Sequence, residues 1–323
     1  MRDEEEISPD LSLTDEGVGG STGHRYGGPW TEIKLDAVQH YLECYTKALK
    51  ARFDLWYIDA FAGTGSRVVE QVTGGILGDP DTVTRETLAG SAMRALQVKP
   101  AFDHHVFIEK VPARCAALRG LQVSNPAAEI RVISGDANKV LRDLIAESPW
   151  RARGKAKSRG VVFLDPYALH VDWSTLHAIA STEIFDVWYL FPIRDTIRQL
   201  ARDFRGTNKV MLDRVLGTEW RDLYSTKPDL LRRPGDEPEL ERVVSMPQFE
   251  KWLHSRLETE FAFVSDPLPI LKTPSQQLFS LFLGVSNRSP AATDLARKFV
   301  QHVNKKFAPV ASRRTFALGA SGR

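Results

Sequence analysis

LWYIDAFAGTG, residues 55–65, climbs through four apolar or aromatic residues to an aspartate and then breaks into small residues with two glycines. A short apolar run that ends on a carboxylate reads as a buried strand, and the glycine turn after it as the loop at the strand's carboxyl end. Gly63 and Gly65 let backbone N–H groups come close to a bulky polar ligand and tolerate positive φ. The dinucleotide pattern GxGxxG would need a third glycine where Val68 stands, and an acid about 20 residues further on, which Glu109 is too distant to supply. A phosphate-binding P-loop is excluded because no GKS or GKT follows. The stretch from Ser66 to Ala89 reads either as a flexible flap over the ligand or as an inert surface loop.

Outward from this turn, apolar runs alternate with helical segments. WTEIKLDAVQHYLECYTKALK puts Ile33, Val38, Tyr41, Leu42, Tyr45 and Leu49 on one face of a first amphipathic helix. Strands are expected at 55–59, 105–110, 130–136, 161–167 and 185–192, with helices at 90–98, 112–121, 138–147 and 174–181 between them. Five such units in series imply an α/β fold with a doubly wound, Rossmann-like parallel sheet. Residues 206–245 have few periodic apolar positions and read as a small insertion of helices and loops. After a helix around 248–259, FAFVSDPLPI and LFSLFLGVS follow each other with no helix between, which predicts an antiparallel pair. A last helix spans 290–307. The expected organisation is therefore an acidic disordered tail at 1–28, one domain at 29–310 and a frayed tail at 311–323.

Composition narrows the partners. Cys44 and Cys115 are the only cysteines, too few for a disulfide framework or a cysteine metal site, and the eight histidines show no ligand spacing, so no metal is expected. No run approaches the roughly 20 apolar residues of a membrane helix, and the acidic start is unlike a signal peptide; the cytoplasm is the expected location. Residues 1–25 hold seven acids and two bases, so the remainder, with 41 bases against 34 acids, carries about +7. That suits a polyanion, and equally a protein that never meets one.

Five parallel strands finished by an antiparallel hairpin resemble the class I S-adenosylmethionine-dependent methyltransferases. In an open parallel sheet, ligands bind beyond the carboxyl ends of the strands, where strand order reverses. The expected cofactor site gathers Asp59, Ala60, Phe61, Gly63, Thr64 and Gly65 after the first strand, Glu109 after the second, and Asp136 and Ala137 after the third. Adenosylmethionine, a different nucleotide and a purely structural turn all fit the glycine loop. Glu109 would accept from both ribose hydroxyls, or be a solvated strand end. Asp136 would lie beside the adenine amino group, or simply cap the next helix. Lys34 would reach the methionine carboxylate, or be an exposed helical lysine.

VVFLDPYAL bears on the reaction. Enzymes that methylate exocyclic amino groups of nucleobases carry DPPY or NPPY at the end of the fourth strand, and Asp165-Pro166-Tyr167 resembles that motif with one proline fewer, as in some tRNA guanine-amine methyltransferases. Asp165 and the Pro166 carbonyl would accept the two amino hydrogens and Tyr167 would stack on the base. Arg194, Arg198, Arg202 and Arg205 follow the fifth strand in helical spacing and are candidates for phosphate contact, with Phe191 near the cleft. Trp188 and Tyr189 read as core or pocket wall. The basic run RARGKAKSR, 151–159, lies before the fourth strand and reads as a solvated loop.

The whole ordered chain resembles one family, the three-Cys-motif partner proteins (TcmP), through WTEIKLDAVQHYLECYTKAL, YIDAFAGTG, GSAMRAL, HHVFIEK, RCAALR, VISGDAN, VVFLDPYALHVDW, FDVWYLFP, LDRVLGTEW and LFLGVSN in that order. The resemblance implies a partner with a three-cysteine motif similar to radical-SAM enzymes, encoded nearby. The leading expectation is methylation of a base amino group in RNA or DNA. The alternatives are an interaction protein that keeps the fold without methylating, and a methyltransferase for protein or small molecules.

Overall fold

A computed structural model describes residues 29–73, 82–151, 157–226, 239–273 and 275–319. The chain enters through α1 (Pro29–Leu49) and runs through β1 (Asp54–Asp59), β2 (Ser66–Thr73), β3 (Thr82–Ala89), α2 (Ser91–Gln97), β4 (His104–Glu109), α3 (Pro112–Ser124), β5 (Glu129–Ser134) and α4 (Ala137–Glu147). It continues through β6 (Ser158–Leu164), α5 (Trp173–Ala180), β7 (Phe185–Phe191), α6 (Ile193–Gln199), α7 (Lys209–Leu216), β8 (Tyr224–Thr226) and β9 (Leu240–Arg242). The remaining elements are α8 (Met246–Glu260), β10 (Phe263–Val264), β11 (Leu268–Thr273), β12 (Gln276–Val285) and α9 (Pro290–Gly319).

The main sheet has the order β5-β4-β1-β6-β7-β12, with β10 and β11 both paired to the outer edge of β12. Its first five strands are parallel and β12 is antiparallel to β7. This is the doubly wound, mostly parallel, Rossmann-like sheet with a reversed strand that the alternation of apolar runs predicts. FAFVSDPLPI forms two short strands, because Ser265, Asp266 and Pro267 interrupt it and a proline has no N–H for the ladder. From β1 the chain first builds outward to β4 and β5, then crosses back to place β6 on the other side, so strand order reverses beside β1.

Burial explains why the central strands lack polar alternation. Every residue of β4 is buried, and every residue of β1 after Asp54, as expected when helices cover both faces. The alternation survives in which core each side chain enters. Phe185, Val187, Tyr189 and Phe191 of β7 point into the core beneath α4, α5, α7 and α8. Trp188 and Leu190 point into the core beneath α1, α2, α3 and α9. Trp188 and Tyr189 are therefore core residues.

Three segments differ from their sequence expectation. Ser66 to Ala89 is a β-hairpin, not an irregular flap: β2 and β3 pair antiparallel from Ser66↔Ala89 to Thr73↔Thr82, in keeping with their Val- and Thr-rich sequences. Residues 74–81 lie outside the described residues. Within 206–245, α7, a 3₁₀ turn (Thr218–Leu223) and the β8–β9 hairpin are ordered, and Leu212, Val215 and Trp220 join the same core as Phe249 of α8. Residues 227–238 of that insertion lie outside the description. The last helix continues to Gly319 instead of ending at Phe307, through a segment rich in alanine and arginine, both good helix formers. The expected tail at 1–28 and the final residues 320–323 lie outside the described residues. No helix among the described residues is long and apolar enough to cross a membrane.

Candidate active site

The reversal beside β1 brings the carboxyl ends of β1, β4 and β6 together, and with them Asp59, Glu109 and Asp165. Asp59 is fully buried. Its Oδ1 accepts from the Phe61 N–H at 3.2 Å, and the Ser91 hydroxyl also acts on the carboxylate, although Oδ2 has no hydrogen bond of good geometry. Burial pushes its carboxyl up to about 7, against the Ser91 hydroxyl and the Phe61 N–H, with the nearby Asp165 adding a little to the push and Lys34 opposing it. A buried acceptor left without a well-formed hydrogen bond is uncommon and marks a place prepared for something else.

Glu109 is not a solvated strand end. It is 7% exposed, and its two oxygens accept from the Gly63 N–H at 3.0 Å and the Val111 N–H at 2.8 Å. It therefore clasps the glycine loop to β4, although each oxygen keeps a lone pair for a ligand hydroxyl. Gly63 and Gly65 do take the expected positive φ, but the loop's own donors are largely used internally. Ala60 donates to Phe163, Ala62 to Ile108 and Gly65 to Ala62, leaving the Thr64 N–H without a partner among the described residues. The Thr64 hydroxyl bonds the Ser66 carbonyl. The glycines do different things. Gly65, at φ +74°, packs so closely on α3 that a Cβ would sit 2.5 Å from Leu121 Cδ1. Gly63, at φ +59°, has nothing within 4 Å of where a Cβ would be, so the loop opens there.

Asp136 caps α4, its Oδ1 accepting from the N–H groups of Asn138 and Lys139 at 3.1 and 3.2 Å. Its side chain is exposed and Oδ2 makes none of these bonds; Ala137 beside it is buried. Asn138, which the sequence reading passed over, ties this turn to the loop after β6. Its Nδ2 donates to the His170 carbonyl at 2.6 Å, and its Oδ1 accepts from the Asp172 N–H and the Thr175 hydroxyl, each at 2.9 Å. A buried asparagine two residues after a capping aspartate was the available signal.

The least expected contact joins α1 to the loop after β6. Lys34 Nζ lies 2.7 and 2.6 Å from the two oxygens of Asp165, with the side chains only 12% and 20% exposed. Lys34 is thus neither an exposed helical lysine nor free to meet a ligand carboxylate; it holds the acid of the DPY motif. Pro166 is buried, and its carbonyl accepts no hydrogen bond from the described residues. Tyr167 is 72% exposed on the rim.

The arginine series is only partly as expected. Arg194 and Arg198 lie on α6, but the helix ends at Gln199, and Arg202 and Arg205 fall in the turn beyond it. Arg202 is paired with Glu241 at 2.7 Å. Phe191 is a correction: it is completely buried between Tyr189 and Phe249 and touches no cleft, because the pleat turns it into the core. Basic groups from other elements do gather around His170 and Asp172. His170 is exposed, and its imidazole is held below its ordinary value by partial burial and then by Arg214 and Lys110. Arg142 and Arg214 also brace Asp172 at 3.5 and 3.2 Å.

No family model matches the chain, and no curated protein matches it. Solved structures do. Protein LPL1258 from Legionella pneumophila is 14% identical over 88% of this chain and 94% of that one, with a TM-score of 0.47. The putative methyltransferase yhhF from Escherichia coli is 13% identical over 67% and 88%, at 0.32. The N-terminal domain of EvdMO1, crystallised with S-adenosylhomocysteine, is 11% identical over 78% and 80%, at 0.38.

Proposed function

We propose that the chain is an S-adenosylmethionine-dependent methyltransferase acting on an exocyclic amino group of a nucleobase in RNA or DNA, alongside a three-cysteine-motif partner. The observation that carries the reading is the buried Asp59 carboxylate at the reversal point, its Oδ2 without a well-formed hydrogen bond, beside a loop that opens at Gly63. The residues present fit the cofactor: Asp59 Oδ2 for its ammonium, the spare lone pairs of Glu109 for the ribose hydroxyls, Thr64 N–H for its carboxylate and Asp136 Oδ2 for the adenine amine. When bound, adenosylmethionine supplies a methyl group on a sulfonium, for which positioning and exclusion of water provide most of the acceleration.

The chain's own part is to orient the amine. Asp165 and the Pro166 carbonyl accept its two N–H bonds, which turns the nitrogen lone pair toward the sulfonium side, and Asp165 takes the proton that the methylated nitrogen sheds. Tyr167, exposed beside them, stacks on the base, a contact that is cheapest for an unpaired nucleotide. Lys34 holds both oxygens of Asp165 before the amine arrives and then shifts aside.

One observation favours a second reading. Both Asp165 oxygens are occupied by Lys34, as expected if the protein retains the fold to serve its partner and methylates nothing. Calorimetric titration with adenosylhomocysteine, followed by labelled cofactor with cellular RNA and DNA, separates the two. Label transfer lost in Asp165→Ala supports the enzyme; cofactor binding without transfer, with the partner present, supports the second reading.

A further inference from the structure

At the opposite end of the sheet from the rim, α1, α9 and the amino ends of β6 and β7 enclose a pocket of about 190 Å³. Apolar cavities of about 150 Å³ hold a benzene molecule, so this one accepts a single ring. Its walls are aromatic, with Tyr41 and Phe299 edge to face at 5.9 Å and Phe53 at the mouth. Its polar groups converge from three elements. Asp186, on β7, accepts from the Tyr41 hydroxyl at 2.6 Å through Oδ2, and Oδ1 makes no hydrogen bond among the described residues. Arg159, on β6, lies over the Phe53 ring with its guanidinium 5.2 Å from the centroid and donates to the Ser158 carbonyl. Arg52 follows α1 and is exposed.

Neither arginine has a carboxylate partner among the described residues, whereas Arg94, Arg114, Arg142, Arg214, Arg221 and Arg256 all do. Arg159 stands close enough to Asp186 to act on its charge, yet makes no ion pair with it. Burial pushes the Asp186 carboxyl up to about 7, against the Tyr41 hydrogen bond and Arg159. Near neutrality this acid therefore offsets only part of one of the two guanidinium charges. Flat walls, a positive mouth and an acceptor at depth describe one kind of molecule.

We infer that this pocket is a ligand site, separate from the rim, for a small single-ring aromatic carboxylate whose acid group meets Arg52 and Arg159 and whose far edge donates a hydrogen bond to Asp186. The ring replaces water against Tyr41, Phe53 and Phe299, where an offset or edge-to-face arrangement is favourable. The fork of Arg159 is pre-set by its stack on Phe53, which suits a planar carboxylate.

The test is titration of the full chain with 4-hydroxybenzoate by calorimetry. Saturable one-to-one binding is expected, with phenol, which lacks the carboxylate, and benzoate, which lacks the far donor, both weaker. Replacing both arginines (R52A with R159A) should weaken 4-hydroxybenzoate by roughly ten- to a hundredfold, the loss of charge-assisted hydrogen bonds, and leave phenol unchanged. Ala292→Phe, which fills the pocket from the first turn of α9, should abolish binding while the circular dichroism and thermal melt stay native. Adenosylhomocysteine should not compete, whether or not it binds at the rim. The inference is overturned if 4-hydroxybenzoate fails to saturate at millimolar concentration, if the double arginine variant binds it as well as the parent, if benzylamine binds better than benzoate, or if adenosylhomocysteine displaces it.

Discussion

Replacing Asp59 by asparagine should make the protein more stable at alkaline pH while weakening its hold on the cofactor. The folded carboxyl titrates at about 7 against an ordinary value of 3.8. Between those values the unfolded chain has released this proton and the folded chain retains it. Folding therefore takes up a proton, and stability falls as pH rises from about 4 to about 7 and stays low above. A shift of about three pK units at about 1.4 kcal/mol each places the loss at roughly 4 kcal/mol by pH 8. Asparagine keeps the shape and the acceptor for the Phe61 N–H without the charge, but buries an amide that needs a partner, a cost of about 1–3 kcal/mol. The expected net gain at pH 8 is about 1–3 kcal/mol. Urea unfolding at pH 5 and pH 8 measures it. Asp186 is shifted the same way but is present in both proteins, so the difference between them isolates Asp59. Parallel pH profiles for parent and variant would refute the desolvated-carboxylate account. In the same pair of proteins, adenosylhomocysteine should bind the parent more tightly as pH rises through 7 and the variant weakly throughout.

The Lys34–Asp165 pair should behave as a coupled unit: Lys34→Met alone should cost about 1–3 kcal/mol, and adding Asp165→Asn should restore most of it. Thermal or urea denaturation of the four proteins gives the coupling, and purely additive losses would show that the 2.6 Å contact carries no energy. Gly65→Ala should lower stability by about 2–4 kcal/mol, from left-handed backbone and collision with Leu121, whereas Gly63→Ala should cost about 1–2 kcal/mol from the backbone alone. Equal melting temperatures for the two variants would contradict the different packing of these glycines. Tyr167→Ala should leave stability within about 0.5 kcal/mol of the parent and weaken single-stranded nucleic acid binding by about 1–3 kcal/mol, read by fluorescence anisotropy.

The sheet was legible because its central strands are buried on both faces and appear as near-continuous apolar runs, with a carboxylate at the end of β1 and β4 and just after β6. The hairpin after Gly65 was not, since SRVVEQVT and TVTRETLA mix charged and apolar residues and carry no unbroken apolar run. At the rim, the residues at strand ends could be located from sequence, but what they bond could not. Glu109 looks like a free acid until β4 and the Gly63 loop are brought together in space. Lys34 and Asp165 are 131 residues apart, and no local pattern announces their contact. Phe191 shows the opposite error: it is adjacent to the cleft in sequence and turned away from it by one step of the pleat.

What remains at the reversal point is a charge imbalance with a direction. Asp59 and Asp165 approach closely enough to raise the former, and Lys34 binds both oxygens of the latter while only tempering the former. One ammonium thus serves two acids, and the acid it serves poorly is the one whose Oδ2 lacks a well-formed hydrogen bond in the dry interior. Hydrogen-bond donors alone would not correct this, because the loop's N–H groups are already taken apart from that of Thr64. A second positive charge would, by ionising Asp59 and pairing with it, so that Lys34 is left to Asp165 alone. Under the proposed reaction, a cationic ligand at Asp59 would therefore leave the Lys34–Asp165 pair intact, and an incoming amine would have to displace the lysine to reach Asp165.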